Sequence, residues 1–403
     1  MIDKQKFIPV LIGADIGTYS IARSFYLEYG VKSKIFSQEI LGATNNSKII
    51  EQTIISNMNA KDLVKELKAF AKETQEVKKI LLACSEWYVD IIVLYKKELE
   101  KAGYIIPYVD KEILDHIVRK DNFYEVCEKL KMPYPETIVV TKDNYKDVKI
   151  PWEYPIIAKN SDKNTWHYAE FPGKKKIFRI KSEEELHNVL DRVYNSTYKD
   201  TFCLQKMVPG EDSCMRVLTC YVNKKHEVIF SSLGQPILEE KTPGAIGNYV
   251  AIITRPMEKE ILDAAKKFLK DVKYVGYANF DIKYDSTDKK YKFFEINVRL
   301  GRSNFYMTAS GANYCKYVVE EYINNNDKMK EVMPYNPWVY TIVPNYVIKK
   351  YVGDKELVKE YLKLKKEKKY THPLYFKKDI NLKRWIYIKL AYFNQIRKFK
   401  KYF

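Results

Sequence analysis

Carboxylates, amides and cations in this chain recur at the spacing of a strand face that could handle a metal-bound phosphate. In "FFEINVRLGRSN", residues 293–304, Glu295, Asn297 and Arg299 fall at alternate positions, with Phe294, Ile296 and Val298 between them. A strand sends successive side chains to opposite faces, so one face collects the polar groups and the other is apolar. The segment "GYANFDIKYD" precedes it across the polar turn "STDKK". With the turn centred on Asp288, the two segments form a hairpin that sets Asp281 opposite Glu295 and Asn279 opposite Asn297. Opposed carboxylates repel, and a cation between them relieves the repulsion. Oxygen donors of this kind suit Mg²⁺, commonly held by one or two carboxylates together with substrate phosphates. Arg299 could then grip a phosphoryl group with two parallel hydrogen bonds. The alternative is a surface hairpin in which Asp281 or Glu295 pairs with Arg299.

Other stretches supply company for that row. Lys159 ends the apolar strand "PIIAK", where a strand terminus can aim an ammonium at a phosphate, and Lys120 opens the helix "KDNFYEVC". "LQKMVPGED" offers a strand, a turn and acidic residues suited to a ribose. Ahead of these, "FIPVLIGADIGTYSIARSFYLEYGVKSKIFS" reads as strand, turn, helix, strand, and "VKKILLACS" as a further buried strand followed by a helical pattern through Lys101. Alternating strand and helix implies a parallel α/β layer over residues 1 to 115. Gly13 and Gly17 at the first strand-to-helix turn could admit a phosphate, although the full GxGxxG spacing is absent. "SEEELHNVLDRVY" is a helix capped by Ser182, and "EKEILDAAKKFLKDV" is an amphipathic one.

Composition sets outer bounds. The 403 residues are 46% apolar, enough for two or three domains with cores, and no apolar run reaches the ~18 residues of a membrane span. The opening "MIDKQKFIPVLIG" lacks the features of a signal peptide, and the six cysteines include no CxxC pair, so reduced thiols in the cytoplasm are expected. Net charge is +18, and residues 331–403 hold 18 Lys/Arg against 6 Asp/Glu. Such a tail suits an anionic partner or a solubilising surface. No helix-turn-helix, zinc-finger or RNP-type pattern supports nucleic acid.

Taken in order, Lys120, "PIIAK", "LQKMVPGEDS", "NFDIKYD" and "FEINVRLGRSN" resemble the ATP-grasp superfamily over roughly residues 116–320. "SLGQPILEEKTPGAIGNYVAII", "YANFDIKYD" and "FEINVRLGRSNFYMTASGANY" resemble, more narrowly, the D-aspartate ligases of Gram-positive bacteria. The resemblance implies an α/β fold with an N-terminal parallel α/β domain (1–115), a small lobe (116–205), a large lobe with the metal site (206–330) and a basic helical C-terminal extension (331–403). It implies ATP with Mg²⁺, or Mn²⁺ in its place. Lys120 and Lys159 would hold the phosphates. Gln205 and the Lys206–Val208 backbone would contact adenine, with Asp212 or Glu211 on the ribose. Asp281, Glu295 and Asn297 would bind the metal, and Arg299 would stabilise the transferring phosphoryl group. Arg302, just beyond the metal strand, would bind an amino-acid carboxylate, the alternative being a structural salt bridge. Two features depart from the family: Gln205 stands where many members have Glu, and "NSDKNTWHYAEFPG" after Lys159 is not glycine-rich, so Ser161, Lys163 or His167 would cover the phosphates.

The activity so implied is activation of a carboxylate as an acyl phosphate and its capture by an amine. In the D-aspartate ligases the β-carboxylate of D-aspartate joins the lysine side-chain amine of a peptidoglycan precursor, either UDP- or lipid-linked. Another amino-acid ligase and a non-enzymatic anion-binding protein are the competing readings. The final "INLKRWIYIKLAYFNQIRKFKKYF", residues 380–403, places Leu382, Trp385, Ile386, Phe393 and Ile396 near helical spacing between cations. That stripe either packs on the ligase core or lies on the anionic inner face of the membrane.

Overall fold

The computed structural model describes residues 2–243 and 245–403; Met1 and Gly244, the latter within "LEEKTPGAIGN", lie outside the described residues. The chain divides into two compact units. One comprises residues 2–111, 211–279 and 297–403, the other residues 112–210 and 280–296.

The first unit opens with a five-stranded sheet in the order Ile50–Ile54, Ser33–Ser37, Phe7–Ile12, Lys78–Ala83, Tyr104–Ile105, every neighbouring pair parallel. All of Phe7–Ile12 is buried, as a parallel strand covered on both faces requires. The following helix, Ile16–Tyr29, begins where the Asp15 carboxylate accepts the Thr18 N–H at 2.9 Å and ends at Gly30, whose φ of 69° is left-handed. After Lys78–Ala83 the helical pattern resolves into two helices, Glu86–Leu94 and Lys96–Lys101, parted at Tyr95.

A seven-stranded sheet follows, in the order Lys290–Asn297, Gly276–Asp285, Met215–Val222, Val228–Glu239, Tyr249–Arg255, Val339–Thr341, Tyr370–Thr371. Its last two strands come from the basic extension and pair parallel, so that extension builds sheet edge as well as helix. Residues 286–289 form the hairpin turn, with Lys289 in the left-handed region at φ 58°. Along Lys290–Asn297 the expected alternation gives way near the turn: Phe293, on the polar row, is 1% exposed. Its ring lies 5.6 Å from that of Phe280.

The second unit carries a four-stranded antiparallel sheet, Thr137–Val140, Phe202–Lys206, Ile156–Asn160, Phe178–Ile180. Helix Glu183–Tyr194 covers it, and the Ser182 hydroxyl accepts the Glu185 N–H at 3.2 Å. Trp166, from the short helix Lys163–Tyr168, anchors the core against Phe178, Tyr198 and Phe202.

The tail helix, Leu382–Tyr402, turns Arg384, Ile388 and Phe399 inward. Arg384 Nε lies 3.4 Å from Asp379, a carboxylate with 0% exposure that also accepts the Tyr19 hydroxyl at 2.7 Å. The apolar stripe is therefore not the face packed on the core. Leu382, Trp385, Ile386 and Phe393 are exposed, and Ile396 is half-buried. Among the described residues no helix is long and apolar enough to cross a membrane, and all six cysteines are free.

Candidate functional site

The second unit gathers cations around one carboxylate. Helix Lys120–Lys129 starts at Lys120, whose N–H donates to the Ser161 carbonyl at 3.1 Å. That bond ties the helix start to the end of the strand that carries Lys159. Both lysines are buried, at 6% and 7% exposure. Lys120 Nζ stands 3.8 Å from Glu295 Oε2. Lys159 Nζ donates to the Tyr124 hydroxyl at 3.0 Å, which in turn donates to the Phe294 carbonyl at 2.8 Å. Burial first, and the Lys120 charge second, push the Lys159 ammonium down to about 8. Burial alone would raise the Glu295 carboxyl, but Lys163, Lys120, Lys159 and Lys176 together hold it well below the usual carboxylate range. The result is an ionised carboxylate set in excess positive charge, an arrangement that attracts an anion such as phosphate.

In the first unit the strand residues continue as a second set. Asn297 is 4% exposed, and its Oδ1 accepts from Arg299 Nη2 at 3.2 Å. The same nitrogen donates to Glu86 Oε1 at 3.1 Å, so Arg299 is steered from two sides. Arg302 Nε lies 3.6 Å from Asp15 Oδ2 at the start of helix Ile16–Tyr29. Gly17 makes that approach possible: a Cβ there would stand 2.9 Å from Cys84 Sγ and 3.1 Å from the Arg302 Cα. Asn304 locks the turn, donating to the Gly17 and Gly301 carbonyls and accepting from the Tyr314 hydroxyl at 2.6 Å.

The expected nucleotide contacts sit in differing states. Gln205 is 1% exposed and donates to Thr137 Oγ1 at 2.7 Å. Lys206 pairs with Glu136 at 2.8 Å, and the Val208 carbonyl accepts from Lys283 at 3.0 Å. In the other unit Asp212 holds Lys241 at 2.9 Å and the Glu239 N–H at 3.1 Å, while Glu211 lies against Gly353. Of the residues proposed to cover phosphates, Ser161 is fully buried beside Cys203, His167 is exposed, and the Lys163 charge reaches Glu295.

The model of the carbamoyl-phosphate synthase L chain ATP-binding domain matches residues 250–313, which hold Asp281, Glu295, Asn297, Arg299 and Arg302. Across its whole length the chain is 35% identical to a D-aspartate ligase of Enterococcus faecium (strain Aus0004), covering 98% of that protein. The chain belongs to the ATP-grasp ligases. It is an ATP-dependent carboxylate–amine ligase, and ATP with Mg²⁺ comes with that family. The fold is shared with an L-amino acid ligase from Bacillus licheniformis (TM-score 0.57, 13% identity, 79% of this chain and 75% of that one). It is shared too with phosphoribosylamine–glycine ligase from Thermotoga maritima (TM-score 0.57, 15% identity, 82% and 79%).

The donor set of this ATP-grasp ligase fits Mg²⁺ chemically. Among the described residues no group of three or more His, Cys, Asp or Glu is placed to hold a metal. Asp281, Glu295 and Asn297 are two carboxylates and an amide, oxygen donors of the kind that Mg²⁺ takes. Sequence reasoning missed Tyr124, Glu86 and Asp15. Each had a local signal. Tyr124 is four residues after Lys120 on one helix, hence on the same face. Glu86 and Asp15 follow the C-terminal ends of parallel strands, where α/β sheets bind ligands.

Proposed function

We propose that this ligase joins the β-carboxylate of D-aspartate to the lysine side-chain amine of a UDP- or lipid-linked peptidoglycan precursor. The full-length likeness to a D-aspartate ligase carries the reading. A carboxylate is a poor electrophile, so its attack on the γ-phosphate, with ADP leaving, first converts it to an acyl phosphate, whose carbonyl the amine then attacks to form the amide with loss of phosphate and a proton. Lys120 and Lys159 bind the phosphates and offset the repulsion between the two anions. Arg299 takes up charge on the transferring group, steered by Asn297 and Glu86. Arg302 receives the amino-acid carboxylate, exchanging it for Asp15. Gln205, Lys206 and Val208 contact adenine, and Asp212 or Glu211 the ribose. Mg²⁺, or Mn²⁺ in its place, held by Asp281, Glu295 and Asn297, would neutralise phosphate charge. With this reading goes a functional division at 1–115, 116–205, 206–330 and 331–403, and a place in the cytoplasm at the inner membrane face.

ADP release tests it, measured over D- and L-amino acids with and without a lysine-containing muropeptide. Turnover should need an acidic side chain, D-aspartate ahead of L-aspartate, and the peptide amine. A preference for an uncharged amino acid would move the activity to a different ATP-grasp ligation.

A further inference from the structure

We infer that the outward face of the tail helix is a docking surface for an anionic lipid bilayer, the helix lying flat in its interface. The helix Leu382–Tyr402 has 21 residues, about 30 Å of length, with seven Lys/Arg and no Asp or Glu. Its inward face is Arg384, Ile388 and Phe399, fixed at one end by Asp379 and at the other by Lys398 Nζ, 3.6 Å from the buried Glu240. On the opposite side Leu382, Ile386, Leu390 and Phe393 follow one another at helical spacing and are 73%, 44%, 62% and 61% exposed. Burying such a row contributes stabilisation that a soluble surface forgoes.

The same stripe continues past Phe393 as Arg397 and Lys400, with Lys383, Lys389 and Lys401 beside it, all exposed. Trp385 and Tyr387 flank it with aromatic rings, suited to the boundary between headgroups and acyl chains. Gly42 lets the chain pass against the Tyr387 ring, which sets the exposed Ile40 and Leu41 next to this helix. The charges select the occupant. A second copy of the chain would bring cations against cations, whereas an anionic headgroup layer neutralises them while the acyl region takes the leucines and Phe393. The inward anchors keep the helix folded before it meets lipid, so no ordering cost falls on binding.

Vesicle co-sedimentation of the full chain is the test, and it needs no turnover, so it stands apart from the choice of amino-acid substrate. The protein should pellet with phosphatidylcholine vesicles containing phosphatidylglycerol and stay in solution with phosphatidylcholine alone. Arg397→Gln/Lys400→Gln/Lys401→Gln should lower partitioning on the order of a hundredfold. Leu390→Ser/Phe393→Ser removes two large apolar side chains from the lipid contact and should lower partitioning by roughly tenfold or more, with an unchanged melting temperature. Wild-type protein indifferent to phosphatidylglycerol, or variants that bind as well as wild type, would overturn the inference. So would a dimer in lipid-free buffer that Leu390→Ser/Phe393→Ser converts to monomer, since the stripe would then be a contact between copies.

Discussion

Lys120 and Glu295 stand 3.8 Å apart, a lysine at a helix start and a glutamate on a strand, and Lys159 shares the field of both. Glu295 is thus a counter-charge for buried ammonium groups as well as an expected metal ligand. Glu295→Gln should lower ADP release at least a hundredfold, of the order lost when a positioned charge is removed. It should also destabilise the fold by about 1–3 kcal/mol, because two buried cations lose their partner. Asn297→Ala should lose turnover similarly while sparing those lysines. Mg²⁺-dependent ADP release beside thermal melting separates the two effects, and full activity in either variant would remove the metal assignment.

Tyr124 orients Lys159 through a single hydroxyl. Tyr124→Phe keeps the ring and removes that acceptor, at a stability cost of about 1 kcal/mol. The expected kinetic outcome is a several-fold rise in KM for ATP with kcat little changed. An unaltered KM would show that Lys159 does not depend on the hydroxyl for its position.

Glu86 aims Arg299. Glu86→Gln weakens a charge-assisted bond that typically contributes about 1.5–3 kcal/mol, so kcat should fall roughly tenfold while KM for ATP stays near wild type. Equal loss in both parameters would place Glu86 in nucleotide binding.

His372 predicts an acid-labile fold. It is 7% exposed, and burial, then the Arg23 and Lys365 charges, push it down to about 3. Its Nδ1 accepts the Leu374 N–H at 3.2 Å, a bond that protonation would break, and the Tyr392 ring packs on it. The unfolded chain takes up a proton near pH 6.5 and the folded chain does not, so stability is lost as pH falls from there towards 3. At pH 5 the loss from this group is about 2 kcal/mol. Urea midpoints at pH 7 and pH 5 should shift less in His372→Asn, which keeps an acceptor and cannot charge. Equal shifts would exclude His372 as the source.

Local chemistry made much of this ligase legible from its sequence. An apolar run ending at Gly13 marked the first parallel strand, Ser182 marked a helix start, and the alternation of Glu295 and Asn297 marked polar positions on a strand that ends at Asn297, two residues before Arg299. These depend on residues within a few positions of one another, so spacing alone determines them. Tertiary structure decided what joins distant segments. Lys159 meets Tyr124, Arg299 meets Glu86 and Asp379 meets Tyr19 across 35, 213 and 360 residues. It also decided which face of the tail helix packs. The hydrophobic stripe was compatible with either side, yet Arg384, a charged residue, turns in because the Ala43 and Asn45 carbonyls accept from its Nη1 and the Asp379 carboxylate supplies a counter-charge there. Periodicity reports that a helix has two faces, and only the partners that the fold supplies determine which one is buried.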